Sequence, residues 1–187
     1  RFQLAGHRPI ALIGGATGLV GDPSFKAAER SLNTAATVGE WAEAIKAQVS
    51  GLLDTSGPRG ALVVNNLEWF ENFRLLDFLR EVGKHFSINA MIQKESVRQR
   101  IEREGEGISF AEFTYMILQA FDFAELNRRF QCTLQIGGSD QWGNIVTGTE
   151  LIRRKCAGEA FAFTCPLIKK ADGSKFGKTE QGNIWLD

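Results

Sequence analysis

The sequence predicts an α/β fold built on a parallel sheet. Short apolar runs of strand length end in glycine-rich turns, and segments with helical spacing of apolar residues follow them. The first such run is Pro9-Ile10-Ala11-Leu12-Ile13, which leads into Gly14-Gly15-Ala16-Thr17-Gly18-Leu19-Val20-Gly21-Asp22-Pro23. Glycines at this density fit poorly inside a helix or strand and suit a tight turn where backbone meets a ligand. From Thr37 to Leu53 the apolar positions Val38, Trp41, Ile45, Val49 and Leu52 keep a helical period, and Thr37 with Glu40 reads as a capping box.

Ala61-Leu62-Val63-Val64 reads as a buried strand after the turn at 55–60. Phe73 to Val82 is a second amphipathic helix, with Leu75, Leu76, Phe78, Leu79 and Val82 on its apolar side. Ile88 to Arg103 is helical and increasingly charged, and 104–107 breaks it. Ser109 and Glu112 repeat the capping-box spacing and open an apolar helix from Phe110 to Phe121. Thr133 to Ile136 is a third strand, followed by Gly137-Gly138-Ser139-Asp140 and a helix to about Lys155. The helical stretch 73–121 is long for one crossover and is expected to be an insertion packed on the sheet edge.

The chain has 187 residues, enough for one sizeable core. Lys plus Arg balance Asp plus Glu at 22 each, so no overall basic field draws it to nucleic acid. No apolar run approaches the length of a membrane span. The three cysteines, Cys132, Cys156 and Cys165, form neither a metal pair nor a disulfide framework and fit a reducing compartment. His7 and His85 are the only histidines and are read as structural, so no bound protein metal is expected. The opening Arg1-Phe2-Gln3 carries neither an initiator Met nor a targeting signal, and a fragment of a longer protein is expected.

Several groups of residues have chemical potential. Gly15, Gly18 and Gly21 keep a spacing found in some nicotinamide sites, but the acidic partner expected about 20 positions on falls inside a helix. No Gly-Lys-Ser/Thr follows the loop, which excludes a P-loop. Asp22 is either an ordinary turn residue or an ammonium partner, and Lys26 and Arg30 are four apart, where they can meet one anion. Tyr115, Gln119 and Asp122 align on one face of an apolar helix, as an internal network or the wall of a polar-tipped pocket. Gln135, Gly138, Asp140 and Gln141 sit where a strand gives way to a helix, the usual ligand end of an α/β sheet. Asp140 serves equally as a ribose acceptor or an N-cap, and Trp142 is assigned to packing. Lys175 and Lys178, on the turn Ala171-Asp172-Gly173-Ser174-Lys175-Phe176-Gly177-Lys178-Thr179, can reach one polyanion together.

Taken together, the segments 14–24, 84–87, 107–110, 115–122, 134–144 and 169–179 resemble the bacterial-type tyrosyl-tRNA synthetases, a class I aminoacyl-tRNA synthetase family. The resemblance covers nearly the whole chain and implies a Rossmann-like nucleotide-binding domain with an inserted helical region, incomplete at both ends. It implies ATP-dependent formation of tyrosyl-adenylate and transfer of the tyrosyl group to tRNA(Tyr), with Mg2+ carried by the nucleotide. By position, Asp122 is implied to accept from the substrate phenol, and Tyr115, Gln119 and Asp22 to hold the α-ammonium group. Gln141 is implied near the reacting carboxylate, with Thr17, Asn66 and Gln135 around the tyrosine pocket. Gly138 and Asp140 are implied at the ATP ribose and Leu167 and Ile168 at adenine. Lys26 and Arg30 are implied in handling pyrophosphate or the tRNA end. Lys175, Lys178 and Thr179 belong to the segment that replaces the Lys-Met-Ser-Lys-Ser loop.

The chain also departs from the family. The family's first strand and His-x-Gly-His signature precede the segment that begins here, and its C-terminal tRNA-binding domain follows it. The 187 residues alone are therefore expected to be inactive. Leu67-Glu68 stands where many members carry Tyr-Asp, beside Asn66 and Trp69, and this variation is expected near the ATP side. The resemblance further implies a cytoplasmic homodimer formed through the helical region around 73–110, with no membrane contact. A nicotinamide-dependent oxidoreductase and a non-catalytic RNA-binding relative are the rival readings. Bound nicotinamide cofactor at 15–21 would favour the first, and loss of the activation residues the second.

Overall fold

The computed structural model describes residues 1–21, 33–94, 97–98, 101–102 and 107–168. Strand β1 (Ile10–Ile13) pairs in parallel with β2 (Leu62–Asn65), Ile10 opposite Leu62 and Ile13 opposite Asn65. Strand β3 (Leu134–Gly138) pairs in parallel with β4 (Phe161–Cys165), Leu134 opposite Phe161 and Gly138 opposite Cys165. Parallel neighbours need a crossover, and helices provide both. The expected parallel α/β arrangement is present, but as two separate two-stranded sheets among the described residues. The strand β4 was not anticipated; its Phe-Ala-Phe-Thr-Cys run alternates exposed and half-buried positions.

The first glycine segment is not a simple turn. It forms a short helix α1 (Gly15–Val20), because the carboxyl end of β2 supplies the cap that its own sequence lacks. Asn65 Oδ1 accepts from the Gly15 N–H at 3.2 Å, and Asn66 Oδ1 from the Ala16 N–H at 2.7 Å. A Cβ on Gly15 would collide with the Asn65 carboxamide, so this contact requires glycine. Helix α2 (Ala35–Leu52) begins before the expected capping box. The cap is Thr34, whose Oγ1 accepts from the Thr37 N–H at 3.2 Å. Of the α2 apolar stripe only Val38 is buried, together with Ala42, while Trp41 and Ile45 stay about half exposed.

Between β2 and β3 the described elements are helical: α3 (Leu67–Phe70), α4 (Leu75–Glu81), a 3-10 turn (Gly83–His85), α5 (Ile88–Ile92) and α6 (Phe110–Phe130). Leu75, Leu76 and Leu79, expected on the buried side of α4, are exposed instead, whereas Val82 at its end is fully buried. The expected capping box of α6 is formed: Ser109 Oγ accepts from the Glu112 N–H at 3.2 Å, and the Ser109 N–H returns to Glu112 Oε2 at 3.3 Å. The helix runs past Phe121 because its next turns are buried, with Phe123, Ala124 and Leu126 in the core. Arg128 and Arg129 complement its C-terminal dipole end.

The last of the described helices, α7 (Trp142–Cys156), packs along α6. Gly148 permits the close approach, since a Cβ there would meet the Phe123 ring atom Cδ1 at 2.9 Å. Phe121 is stacked on Phe73 at 5.1 Å and meets Phe70 and Phe78 edge-on at 5.6 and 6.0 Å, anchoring the helical region to α6. Trp142, assigned to packing, is 51% exposed. It stands at the start of α7, before the helix descends into the core. Among the described residues no helix is long and apolar enough to cross a membrane.

Candidate active site

A cleft of about 1120 Å³ opens between the two sheets. At the carboxyl ends of β1 and β3 it is lined by Gly14, Thr17, Tyr115, Gln119, Asp122 and Gln141. Residues far apart in sequence converge there because β1, β3 and the middle of α6 form its walls. The Tyr115–Gln119–Asp122 face of α6 is therefore a pocket wall.

Asp122 is the chemical centre of that wall. It is 2% exposed, and both carboxylate oxygens are held. The Trp69 indole N–H donates to Oδ1 at 2.8 Å, and the Asn66 amide donates from Nδ2 to Oδ2 at 3.0 Å. Asn66 Nδ2 also reaches Thr17 Oγ1 at 3.0 Å, so β2, α1 and α6 meet on one buried amide. Burial pushes the Asp122 carboxyl up to about 7, and the Asn66 and Trp69 hydrogen bonds pull against it by favouring the anion. An ionised carboxylate offers about four acceptor positions, so lone pairs remain for a hydroxyl donor inside the cleft.

Gln119 Nε2 donates to Gln141 Oε1 at 3.2 Å, and Asn144 Nδ2 donates to the same oxygen at 3.3 Å. These bonds link α6 to the start of α7 and fix the Gln141 carboxamide at the cleft mouth. Gln135 also lines the cleft, and its Oε1 is buried without a hydrogen-bond partner among the described residues. Such an atom is costly unless a donor arrives from elsewhere.

Gly138, Asp140 and Leu167 come together beside the cleft. A Cβ on Gly138 would stand 2.5 Å from Asp140 Oδ1 and 2.8 Å from Leu167 Cδ2. The Asp140 carboxylate and the Leu167 side chain thus both pack directly on the Gly138 backbone. Asp140 makes no capping bond to α7, so the N-cap alternative is set aside. Ile168 is 72% exposed. Asp22, Lys26, Arg30, Lys175, Lys178 and Thr179 lie outside the described residues.

Two side chains stand behind Asp122. Asn66 is fully buried behind Asp122 and is absent from the cleft wall. Trp69, which had no assigned role, donates to Asp122. The Asn65-Asn66 pair at the carboxyl end of a strand was the available signal, since such positions face α/β ligand sites. Among the described residues no group of three or more His, Cys, Asp or Glu side chains is arranged to hold a metal.

Parallel βαβ units, with polar side chains gathered at the strand ends, define an α/β fold of the Rossmann-like type. The sequence profile of the tRNA synthetases class I (W and Y) matches residues 1–187, and the chain belongs to that family. A tyrosine–tRNA ligase from Aliivibrio fischeri is 64% identical over 188 residues, covering 100% of this chain and 44% of that protein. The tyrosine–tRNA ligase of Chromobacterium violaceum is 60% identical over 187 residues, with the same coverage of each. The chain thus spans less than half the length of these relatives. Among solved structures, a C-terminally truncated mitochondrial tyrosyl-tRNA synthetase of Aspergillus nidulans superposes with a TM-score of 0.78 at 28% identity. That match covers 91% of this chain and 54% of the other. The Archaeoglobus fulgidus tyrosyl-tRNA synthetase, solved with L-tyrosine, shares the fold at TM-score 0.65 and 21% identity, over 94% of this chain and 50% of its own.

Proposed function

We propose that the whole protein activates L-tyrosine with ATP and transfers the tyrosyl group to tRNA(Tyr). The observation that carries this reading is Asp122, a doubly held carboxylate at the wall of a cleft that also presents Tyr115, Gln119 and Gln141. The high identity to named tyrosine–tRNA ligases supports it. In this reading the substrate phenol donates to Asp122, and Tyr115, Gln119 and Asp22 hold the α-ammonium group. Thr17 and Gln135 complete the walls of the tyrosine pocket.

Gln141 then lies beside the tyrosine carboxylate, and Gly138, Asp140, Leu167 and Ile168 receive the nucleoside of ATP. A carboxylate oxygen bonds to the α-phosphorus, the bond to the bridging oxygen breaks, and pyrophosphate leaves with the electron pair. The nucleophile is already ionised, so no general base is required, and charge on the phosphoryl oxygens is the main demand. Lys26, Arg30, Lys175, Lys178 and Thr179 answer that demand, with Mg2+ arriving on the nucleotide. The terminal tRNA ribose hydroxyl then takes the tyrosyl group and AMP leaves.

The protein works in the cytoplasm as a homodimer through the helical region around 73–110, where Leu75, Leu76 and Ile88 stand exposed. The 187 residues alone are inactive. Tyrosine-dependent ATP–pyrophosphate exchange by the whole protein tests the assignment. Asp122→Asn lowers kcat/KM for tyrosine by about 100-fold, the cost of a lost charge-assisted bond in a dry site. Exchange that does not depend on tyrosine, or that survives this substitution, overturns it.

A further inference from the structure

Trp69 is held at two places by the same helix. Its indole N–H donates to Asp122 Oδ1 at 2.8 Å, and the Arg129 guanidinium carbon lies 5.2 Å from the centre of its ring. Asp122 and Arg129 stand about two turns apart on α6, so they share one face of that helix. Helical side chains lean toward the amino end, and Arg129 accordingly reaches back over the ring whose N–H meets Asp122. Trp69 is buried and comes from α3, a helix of only four residues. A single helical turn is weak by itself, so its contacts with α6 bear directly on where the indole stands.

Glu125 fixes Arg129 in turn. Its Oε2 accepts from Arg129 Nε at 2.7 Å, a pairing between neighbouring turns with the acid on the amino side. Arg128 binds the same carboxylate twice, from Nε to Oε1 at 3.0 Å and from Nη2 to Oε2 at 2.7 Å. Burial works to raise the Glu125 carboxyl, but the bonds from both arginines outweigh it and hold it below its ordinary value. The anchor therefore stays ionised at neutral pH. The two arginines are not equivalent. The Arg128 side chain is 60% exposed and that of Arg129 is 32% exposed, and of the two only Arg129 lies over the Trp69 ring. A cation gains more from an aromatic face where it is partly desolvated.

Neither Glu125 nor Arg129 lines the cleft, and no step of the proposed activation uses them. A buried carboxylate paired with a half-buried guanidinium is costly where apolar side chains would pack as well, so their place beside the Asp122 donor calls for a reason. We propose that Arg129, held by Glu125, is a positioning residue for the tyrosine site. It clamps the ring face of Trp69, keeps the indole N–H aimed at Asp122 Oδ1, and so keeps the remaining lone pairs of the carboxylate turned to the cleft. The cation also draws π density from the ring, which makes the indole N–H a stronger donor. Arg129 touches no substrate and acts only through Trp69 and Asp122. This inference rests on the reading of Asp122 as the phenol acceptor and extends that reading to two residues outside the cleft.

The test uses the whole protein carrying isotopically labelled tryptophan, with the Trp69 indole N–H signal identified by its loss in Trp69→Phe. Without tyrosine present, Arg129→Met speeds solvent exchange of that proton by about fivefold and moves its signal toward that of a free indole. In ATP–pyrophosphate exchange the same variant raises the tyrosine KM by about fivefold, with kcat and the ATP KM within about twofold of the parent. Arg129→Gln, which also lacks the charge, gives the same pattern. Arg129→Lys keeps a cation on the ring and stays within about twofold of the parent in both readouts. Arg128→Met takes a partner from Glu125 and none from Trp69, so both readouts keep parental values. An unchanged Trp69 signal in Arg129→Met, an equal change in Arg128→Met, failure of Arg129→Lys to restore both readouts, or a parallel rise in the tyrosine and ATP KM overturns the proposal. A signal that moves as described in a protein that activates no tyrosine keeps Arg129 as the residue that positions Trp69, and removes the proposed function alone.

Discussion

Trp69 donates its indole N–H to Asp122 Oδ1 at 2.8 Å, joining a short helix after β2 to the middle of α6. This bond and its neighbour from Asn66 decide how Asp122 ionises. Burial lifts the carboxyl from 3.8 to about 7, against the pull of both donors. Between those values the native chain keeps a proton that the unfolded chain has released, so stability falls as pH rises through the window. The slope is at most about 1.4 kcal/mol per pH unit. The urea midpoint of Asp122→Asn is therefore expected to depend less on pH between 5 and 8 than that of the parent. Equal slopes in the two proteins would falsify the assignment of the raised value to Asp122. In the whole protein the tyrosine KM falls as pH rises through about 7, because the phenol needs the ionised acceptor.

The Asn66 amide joins three groups at once. It accepts from the Ala16 N–H and donates to Thr17 and Asp122, with no exposed surface. Asn66→Ala leaves buried polar groups on α1 and α6 without partners, at about 1–3 kcal/mol each where water cannot replace the amide. A total loss of roughly 2–5 kcal/mol in urea unfolding is expected. The same change removes one donor from Asp122 and raises its carboxyl further, so the tyrosine KM rises more at pH 6 than at pH 8. A midpoint shift with no change in that pH profile would leave Asn66 a packing residue only.

Gly138 packs against Asp140 and Leu167, the residues proposed to receive the nucleoside. A Cβ there meets Asp140 Oδ1 and Leu167 Cδ2 within van der Waals distance, while the cleft around Asp122 is untouched. Gly138→Ala is therefore expected to raise the ATP KM by about tenfold, roughly 1.4 kcal/mol of displaced contacts. The tyrosine KM stays within about twofold of the parent. Steady-state exchange kinetics with each substrate varied in turn distinguishes this from a general loss of fold.

What the sequence made legible was local. The Ser109–Glu112 box, the β1 run and the Tyr115–Gln119–Asp122 face each follow from spacing within one element, and each is present. What stayed hidden depends on contacts across about fifty residues. Helix α1 forms only because Asn65 and Asn66 cap it from β2, and glycine-rich composition argued against any helix there. The role of Trp69 is written in a bond to Asp122, and no periodicity around Trp69 points to that bond. The division of the sheet into two pairs was equally invisible, since strand propensity does not say which edges meet.

The exposed face of α4 carries the quaternary prediction. Leu75, Leu76 and Leu79 are 71%, 67% and 49% exposed, and Val82 alone turns fully inward at the end of the helix. Three leucines at neighbouring helical positions form a small apolar face that water covers poorly. If this face lies in a dimer interface, Leu76→Glu places a charge where the partner packs, without disturbing the core of its own subunit. Sedimentation of the whole protein is expected to shift from dimer to monomer, with the urea midpoint at low protein concentration changed by no more than about 0.5 kcal/mol. A parent already monomeric at micromolar concentration, or a variant that remains dimeric, removes α4 from the interface. Such a result leaves the proposed tyrosine site untouched, because Asp122 draws its partners from Asn66 and Trp69 within the same chain.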